Sequence, residues 1–90
     1  MSETQEKVSV EVEELELEEH SLIIYNDDVN TFEWIIASLV MICGLSEEQA
    51  KKCAMTAHTD GKSEVMSGSF DDLQPLQLRL LIRNVETTIK

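Results

Sequence analysis

The chain changes from a strand pattern to a helix pattern within residues 25–34, which read Tyr-Asn-Asp-Asp-Val-Asn-Thr-Phe-Glu-Trp. Just before this change, residues 22–25 form a short run of the β-branched and aromatic residues typical of a buried strand. The connection itself is crowded with hydrogen-bond acceptors, because Asn26, Asp27 and Asp28 follow one another. Side chains that follow a strand converge where the backbone changes direction, so we expect a binding site here for a cationic group with several donors.

A helix is predicted to begin at Asn30, a good N-cap residue, with Glu33 completing a capping box three residues later. Gly44 has the position of a C-cap glycine. Between them, apolar residues recur at steps of three and four and form a face broad enough to pack on a sheet. These residues are Phe32, Ile35, Ile36, Leu39, Val40, Ile42 and Cys43.

A second helix is predicted from the capping box that Ser46 forms with Gln49. One face of this helix carries only small residues, which suits close helix packing. They are Ala50, Cys53, Ala54 and Ala57. His58 lies one turn after Ala54, near the helix end that precedes Asp60 and Gly61.

The remaining residues complete an α+β pattern. Ser63 to Ser69 has a weak strand pattern, and a third helix is predicted with an N-cap between Ser69 and Asp72, Pro75 in its first turn, and an apolar face of Leu76, Leu80 and Leu81. Residues 85–89 predict a closing strand. The order β-α-α-β-α-β predicts a small two-layer domain, in which a three-stranded antiparallel sheet is covered by helices.

Negative charge is concentrated at the start of the chain. The formal charge is −11, and residues 1–19 contribute −7 of it, from eight Glu and one Lys. We expect residues 1–19 to be a flexible acidic arm, available as a handle for a partner, and residues 20–90 to form one domain. Because no basic stripe offsets this charge, nucleic acid is excluded as a partner.

The composition favours a cytoplasmic protein with reduced thiols. The chain has no secretory-signal pattern and no apolar run near 18 residues, so no membrane association is expected. Its two cysteines, Cys43 and Cys53, are expected to be free, with a disulfide between them as the less favoured alternative. A monomer is the simplest expectation.

A primary ammonium group carries three N–H donors and one charge, so a specific receptor needs about three converging acceptors. Asn26, Asp27 and His58 offer an amide oxygen, a carboxylate and a ring nitrogen. This set fits the N-terminal amine of a protein chain, whose pKa of about 8 leaves it mostly charged at neutral pH. The candidates for an adjoining apolar socket are Phe32, Ile35, Ala54 and Ala57.

Simpler structural roles are open for the same residues. An Asn-Asp-Asp sequence after a strand often forms an Asx-type turn, in which the side chains bond to local backbone. A histidine near a helix C-terminus can simply favour the helix dipole. Asn30 and Glu33 can act only as helix caps.

Several of these motifs together resemble the ClpS family of Clp protease adaptors. The matching motifs are Ile-Ile-Tyr-Asn-Asp-Asp at 23–28, the aromatic helix start around Glu33, Gly-Leu-Ser-Glu-Glu-Gln-Ala at 44–50, Ala57-His58 and Gly61-Lys62. The resemblance is clear from Ser21 to Lys62 and looser beyond. It implies a protein with no catalysis, cofactor or metal of its own. Such an adaptor binds N-degrons, which are free N-termini with a bulky apolar first residue, and delivers them to the N-domain of an AAA+ Clp unfoldase.

The resemblance also implies roles for particular residues. Asn26, Asp27 and His58 match the positions that hold the α-amine and the first peptide group. The positions that match the side-chain pocket are Asn30 at the rim and Phe32, Ile35, Ala54 and Ala57 in the walls. The acidic arm corresponds to the N-terminal extension, which engages the unfoldase.

The pocket is also where this chain departs from the family pattern. Many members have Thr-Pro-Met where this chain has Asn30, Thr31 and Phe32, and larger apolar residues in place of Ala54 and Ala57. A phenylalanine narrows the entrance whereas two alanines deepen the floor, so the preferred first residue stays open.

Three other classes of function compete with this one. An enzyme would use Cys43 or Cys53 with His58, but both thiols lie on predicted buried faces. A metal site of Cys53, His58 and Asp60 lacks a usual ligand spacing. A docking platform would keep the fold without the pocket, as in the C-terminal domain of a ribosomal stalk protein, and would not need Asn26, Asp27 or His58.

Overall fold

The computed structural model describes residues 18–90. Their order is strand β1 (His20–Tyr25), helix α1 (Phe32–Cys43), helix α2 (Glu47–Asp60), strand β2 (Lys62–Gly68), helix α3 (Phe70–Ile82) and strand β3 (Thr87–Ile89). This confirms the predicted β-α-α-β-α-β fold with a three-stranded antiparallel sheet. The predicted acidic arm lies outside the described residues, except for its last two positions.

β1 is the central strand, with β2 and β3 antiparallel on either side of it. Successive side chains of a strand point to opposite faces. Leu22 and Ile24 accordingly point into the core and are almost fully buried, whereas Ile23 and Tyr25 lie on the other face and are partly exposed. On that face the Tyr25 hydroxyl shares a 2.7 Å hydrogen bond with the Thr88 hydroxyl, which joins β1 to β3.

The width of the apolar face of α1 predicted that it would pack on the sheet, and this prediction was wrong. α2 and α3 contact the strands, whereas α1 packs mainly on α2 and α3. The short connection from Gly44 to Ser46 folds α1 back along α2, so the two helices form a pair. The residues that α1 buries are Ile35, Ser38, Leu39 and Ile42.

The helix caps predicted at Gly44 and Ser46 are present, whereas the one predicted at Asn30 is not. Gly44 and Gly61 end α1 and α2 in the left-handed conformation, with φ of 70° and 90°. The predicted capping box is present at the start of α2, where Ser46 and Gln49 each accept a 3.1 Å bond from the other's backbone N–H. The prediction for α1 was wrong, because the N-cap is Thr31.

Thr31 takes the cap because the Asn30 side chain is engaged elsewhere. Thr31 Oγ1 accepts from Trp34 N at 3.1 Å. Asn30 Nδ2 instead donates to Asp27 Oδ2 at 2.6 Å and to the Asn84 carbonyl at 2.9 Å. Within residues 18–90, Glu33 makes no return bond to a cap, so the predicted capping box with Asn30 is absent.

The C-terminal third differs from the sequence expectation in detail. Ser69 caps α3, so Pro75 is its sixth residue and not part of its first turn; it removes the N–H that would bond to the Asp71 carbonyl. Leu81 is 43% exposed, and the core position that the apolar pattern missed is Leu73. β3 is shorter than predicted because Asn84, at φ 66°, turns the chain and Val85 is buried before the strand begins.

A polar network holds the end of α3 against α1. Arg83 Nε donates to Ser38 Oγ at 2.7 Å, and Ser38 Oγ donates to the Trp34 carbonyl at 2.7 Å. Trp34 Nε1 in turn donates to the Arg83 carbonyl at 2.9 Å, and the Arg83 guanidinium lies 3.9 Å from the centre of the indole ring. The network extends from the surface into the core, because Trp34 is 41% exposed whereas Ser38 is fully buried.

We expect Ser38→Ala to lower the free energy of unfolding by about 1–2 kcal/mol, because Arg83 Nε loses its acceptor in a partly buried setting. Urea denaturation at pH 7 measures this. The matched control is Thr59→Ala, which removes a hydroxyl that also bonds back to its own helix but is exposed and supports no second residue. A loss of equal size in both variants would contradict the network's role.

Candidate functional site

The end of β1 is joined to the end of α2 by the backbone. Asn26 N donates to the Gly61 carbonyl at 2.9 Å, and Gly61 N donates to the Ala57 carbonyl at 2.9 Å. The first residue after the strand is thereby held beside the last turn of α2, which carries His58. These main-chain bonds link two parts of the chain whose residues, Asn26 and His58, are 32 positions apart.

A cavity of about 50 Å³ opens at this junction, between the end of β1, the start of α1 and the last turns of α2. Its lining consists of Ile24, Tyr25, Asn26, Asp27, Asn30, Phe32, Ile35, Ala54, Ala57 and His58. The eight residues that the sequence predicted for amine binding and for the side-chain pocket are all in this lining. Ile24 and Tyr25 were not predicted as lining residues. Their position at the end of β1, directly before Asn26, could have indicated them.

Asp27 forms the local turn that the structural alternative described. Its Oδ1 accepts from the backbone N–H groups of Val29 and Asn30 at 2.8 and 2.9 Å. Its Oδ2 accepts from Asn30 Nδ2 at 2.6 Å. Because an ionised carboxylate has about four acceptor sites, Asp27 retains capacity for a further donor. The turn and a ligand contact are therefore compatible.

The charge of Asp27 is stabilised by its surroundings. Burial by itself acts to raise the pKa of Asp27, but hydrogen bonds from the backbone and side chain of Asn30 and from the backbone of Val29 outweigh it. The pKa of Asp27 consequently lies below its ordinary value, and the carboxylate is anionic at neutral pH. The cavity lining contains no Lys or Arg among the described residues to neutralise it.

Other acceptors of the cavity lining are not used within the domain. Among residues 18–90, the side chains of Asn26 and His58 make no hydrogen bond. Asn30 uses its amide nitrogen for Asp27 and Asn84, so its amide oxygen is the atom left to accept. Together with Asp27 these groups make one side of the cavity rich in acceptors.

The other side of the cavity is apolar. Ile24, Ile35, Ala54 and Ala57 are buried, whereas Phe32 is 36% exposed at the entrance. An engineered cavity of about 150 Å³ holds a benzene molecule, so a volume of about 50 Å³ admits a much smaller group. Unlike these four residues, Phe32 is not packed in the core.

Neither cysteine belongs to this cavity, and both are free thiols. Burial raises the pKa of Cys43 to about 11, a shift that nearby Cys53 reinforces and Arg79 opposes. Burial also raises the pKa of Cys53, against the opposing effect of its 3.2 Å hydrogen bond with Ser63. Both thiols are protonated at neutral pH, so neither has the thiolate that a nucleophile requires.

Two further findings concern residues 18–90 as a whole. No three side chains among their His, Cys, Asp and Glu residues lie close enough together to hold a metal ion. No helix in this part of the chain is long and apolar enough to cross a membrane.

The fold and the cavity define a small α+β domain with an acceptor-lined, apolar-walled pocket at one end of its sheet. The profile of the family described as "ATP-dependent Clp protease adaptor protein ClpS" matches residues 16–84, and the chain belongs to this family. This is a family of adaptors and not of enzymes.

Relatives and a solved structure agree with this family. The ATP-dependent Clp protease adapter protein ClpS of Corynebacterium diphtheriae is 32% identical over 69 residues, which cover 77% of this chain and 61% of that relative. The protein of the same name from Corynebacterium glutamicum strain R is 29% identical over 70 residues, covering 68% and 70%. The chain thus matches less than two thirds of the C. diphtheriae relative. The fold is shared with Agrobacterium tumefaciens ClpS2 bound to L-phenylalaninamide, at a TM-score of 0.74 and 19% identity, over 80% of this chain and 94% of that one.

The lowered pKa of Asp27 makes stability depend on pH in a defined direction. The carboxylate contributes stability above its unfolded pKa of about 3.9, and this contribution is lost as the pH falls through the lower pKa of the folded state. We expect Asp27→Asn to lower the free energy of unfolding by about 1 kcal/mol at pH 7, the lower end for a hydrogen-bonded charge because the group is partly exposed. The difference from wild type should shrink as the pH falls through the lowered pKa of the folded state.

Urea denaturation at pH 7 and at steps from pH 5 to pH 2 measures this difference. Asp28→Asn is the matched control, because Asp28 is the exposed neighbour that makes no hydrogen bond to another described residue. A difference between Asp27→Asn and wild type that stays constant over the whole pH range would contradict the assignment.

Proposed function

We propose that this protein is an adaptor that recognises substrate proteins by a free N-terminal amine and a bulky apolar first residue, and that it delivers them to an AAA+ Clp unfoldase for degradation. The observation that carries this proposal is the composition of one cavity. The acceptors Asn26, Asp27 and His58 surround the same space as the apolar side chains of Ile35, Ala54 and their neighbours. An α-amine and the side chain beside it need both kinds of wall.

The acceptors favour the end of a chain over its interior. An N-terminal ammonium group brings three donors and a positive charge to the anionic Asp27 and to the unused acceptors of Asn26 and His58. An internal peptide nitrogen has one donor and no charge. Each acceptor left unpaired on binding would cost about 1–3 kcal/mol, so internal segments are rejected.

The ligand of the A. tumefaciens neighbour supports this use of the cavity. L-Phenylalaninamide, named in that structure, has a free α-amine, an apolar aromatic side chain and an amide group, which are the parts of a first residue in a peptide. We propose that the first residue of a substrate is bound by this chain in the same manner. Its amine would contact Asn26, Asp27 and His58, and its side chain would enter between Ile35, Ala54 and Ala57.

Phe32 is proposed as the gate of the side-chain pocket. A cavity of about 50 Å³ is too small for an aromatic ring, so a bulky first residue requires the Phe32 side chain to turn outward. Phe32 begins α1 and is partly exposed, so it can rotate without disturbing the buried residues Ile35 and Leu39. Asn30, held by Asp27 and the Asn84 carbonyl, forms the rim.

The adaptor role requires a second partner, which we propose is the N-domain of the Clp unfoldase. Residues 1–19 supply the acidic handle for this contact, and no residue of the domain is assigned to it. The protein is proposed to act as a monomer in the cytoplasm, where reducing conditions keep Cys43 and Cys53 as thiols. The two roles are separable, because the pocket binds the substrate whereas residues 1–19 contact the unfoldase.

We expect peptides that begin with Leu, Phe, Tyr or Trp to bind with a free amine and not after N-acetylation, since acetylation removes the charge and two of the three donors. His58→Ala and Asp27→Ala should each weaken binding by about tenfold or more, because a hydrogen bond to a charged group contributes about 1.5–3 kcal/mol. Fluorescence anisotropy of labelled peptides measures both effects, and His58 is exposed, so its replacement leaves the fold intact.

Asp28→Ala is the matched control, since it removes a neighbouring carboxylate that is not part of the cavity lining. Clp-dependent degradation of a reporter that begins with Phe should need the same residues as peptide binding. If the variants lacking Asn26, Asp27 or His58 side chains bind the unfoldase normally and wild type binds no free N-terminus, the protein is a docking platform instead.

We expect Phe32→Ala to raise the affinity for peptides that begin with Trp or Phe relative to those that begin with Leu, by about fivefold, because it removes the wall that limits the cavity. The same anisotropy titration gives this ratio. Leu78→Ala is the control, because Leu78 is an exposed apolar residue outside the cavity lining. An unchanged affinity ratio in Phe32→Ala would contradict the proposed role of Phe32 as the gate.

A further inference from the structure

A second and larger concavity lies on the outer side of the helix pair, which we call the outer groove. It is a cleft of about 740 Å³ between one stripe of α1 and one stripe of α2. Ile36, Val40, Met41 and Met55 supply its apolar surface, and Met41 is 65% exposed. A volume of this size lined by apolar side chains is typical of a binding cleft.

The outer groove adjoins the cavity proposed for the first residue, because Phe32 lines both. From Phe32 the groove follows α1 as far as Met41, a length of about 13 Å at 1.5 Å per helical residue. An extended peptide covers this length with about four residues at 3.3 Å each. The outer groove therefore begins next to the cavity proposed for the first residue and is long enough for about four residues.

The charges of the molecule decide between possible occupants. The rim of the outer groove carries Glu33, Glu47 and Lys51, and Lys51 lies 3.5 Å from Glu47, so the rim is net negative. Residues 1–19 carry −7 and a second copy of the chain carries −11, so both would be repelled. An apolar segment that is neutral or basic meets no such repulsion.

We propose that the outer groove binds apolar side chains of the substrate at the positions that follow the first residue, an inference that rests on the proposed adaptor function. The substrate class is thereby extended from a single residue to an N-terminal segment of about five residues, with apolar and non-acidic residues after the first. The free amine provides selectivity for chain ends, and the outer groove adds affinity according to the residues that come next.

The test compares two labelled peptides with the same free N-terminal Leu. One has Ser at positions two to five, and the other has Leu at positions three and four. In wild type the second should bind about five- to tenfold more tightly, since each Leu is partly removed from water. Met41→Glu should abolish this advantage without changing the affinity for the Ser peptide. Leu78→Glu is the matched control, because Leu78 is a comparably exposed apolar residue of α3 outside the outer groove, and the advantage should persist.

The outcomes separate the two levels of the proposal. Equal affinity of the two peptides in wild type, with both requiring a free amine, would overturn the role of the outer groove and leave the adaptor function intact. No binding of either peptide would overturn the adaptor function itself. Sedimentation of wild type as a dimer and of Met41→Glu as a monomer would assign the outer groove to a second copy. Displacement of the Leu-rich peptide from the groove by a synthetic peptide of residues 1–17 would assign it to the chain's own arm, and either result overturns the proposal.

Discussion

The hydrogen bond from Asn26 N to the Gly61 carbonyl is the contact on which the site depends. It joins the end of the central strand to the end of α2, and β2 begins immediately afterwards and pairs with β1. The same junction therefore closes the sheet and brings Asn26 beside the turn that carries His58. Gly61 can occupy this corner because its φ of 90° is accessible to glycine and strained for other residues. The acceptors of the proposed amine receptor are consequently positioned by main-chain geometry.

Asp27 shows why a structural role and a ligand role need not be alternatives. The same hydrogen bonds that close the turn at Val29 and Asn30 also keep the carboxylate anionic, because they outweigh the cost of burial. The turn is thus a means of holding a negative charge in a fixed position at the cavity wall. Asn30 extends this arrangement, since its bond to the Asn84 carbonyl links the turn to the segment that follows α3.

Sequence patterns predicted the features that are decided locally. The capping box of Ser46 and Gln49 and the glycine at position 44 involve residues within one helical turn, and both are present. The predicted N-cap of α1 was wrong because the Asn30 side chain donates a hydrogen bond to the carbonyl of Asn84, which lies 54 residues away. The contact of Ser38 with Arg83 and the packing of α1 on helices instead of the sheet likewise depend on distant residues. The lining residues of the cavity were predicted from acceptor chemistry together with the family resemblance, but its small volume depends on how side chains from three elements pack, which no local pattern encodes.

The two sides of the cavity differ in how the fold holds them. The acceptor side is anchored by the main-chain bond of Asn26 and by the hydrogen-bonded turn of Asp27, whereas the opposite side is formed by side chains, of which Phe32 is the partly exposed one. A mutation in the apolar wall can therefore alter the shape of the pocket while the acceptors stay in place. If the proposed function holds, recognition of a chain terminus and the choice among terminal residues can therefore diverge independently in evolution.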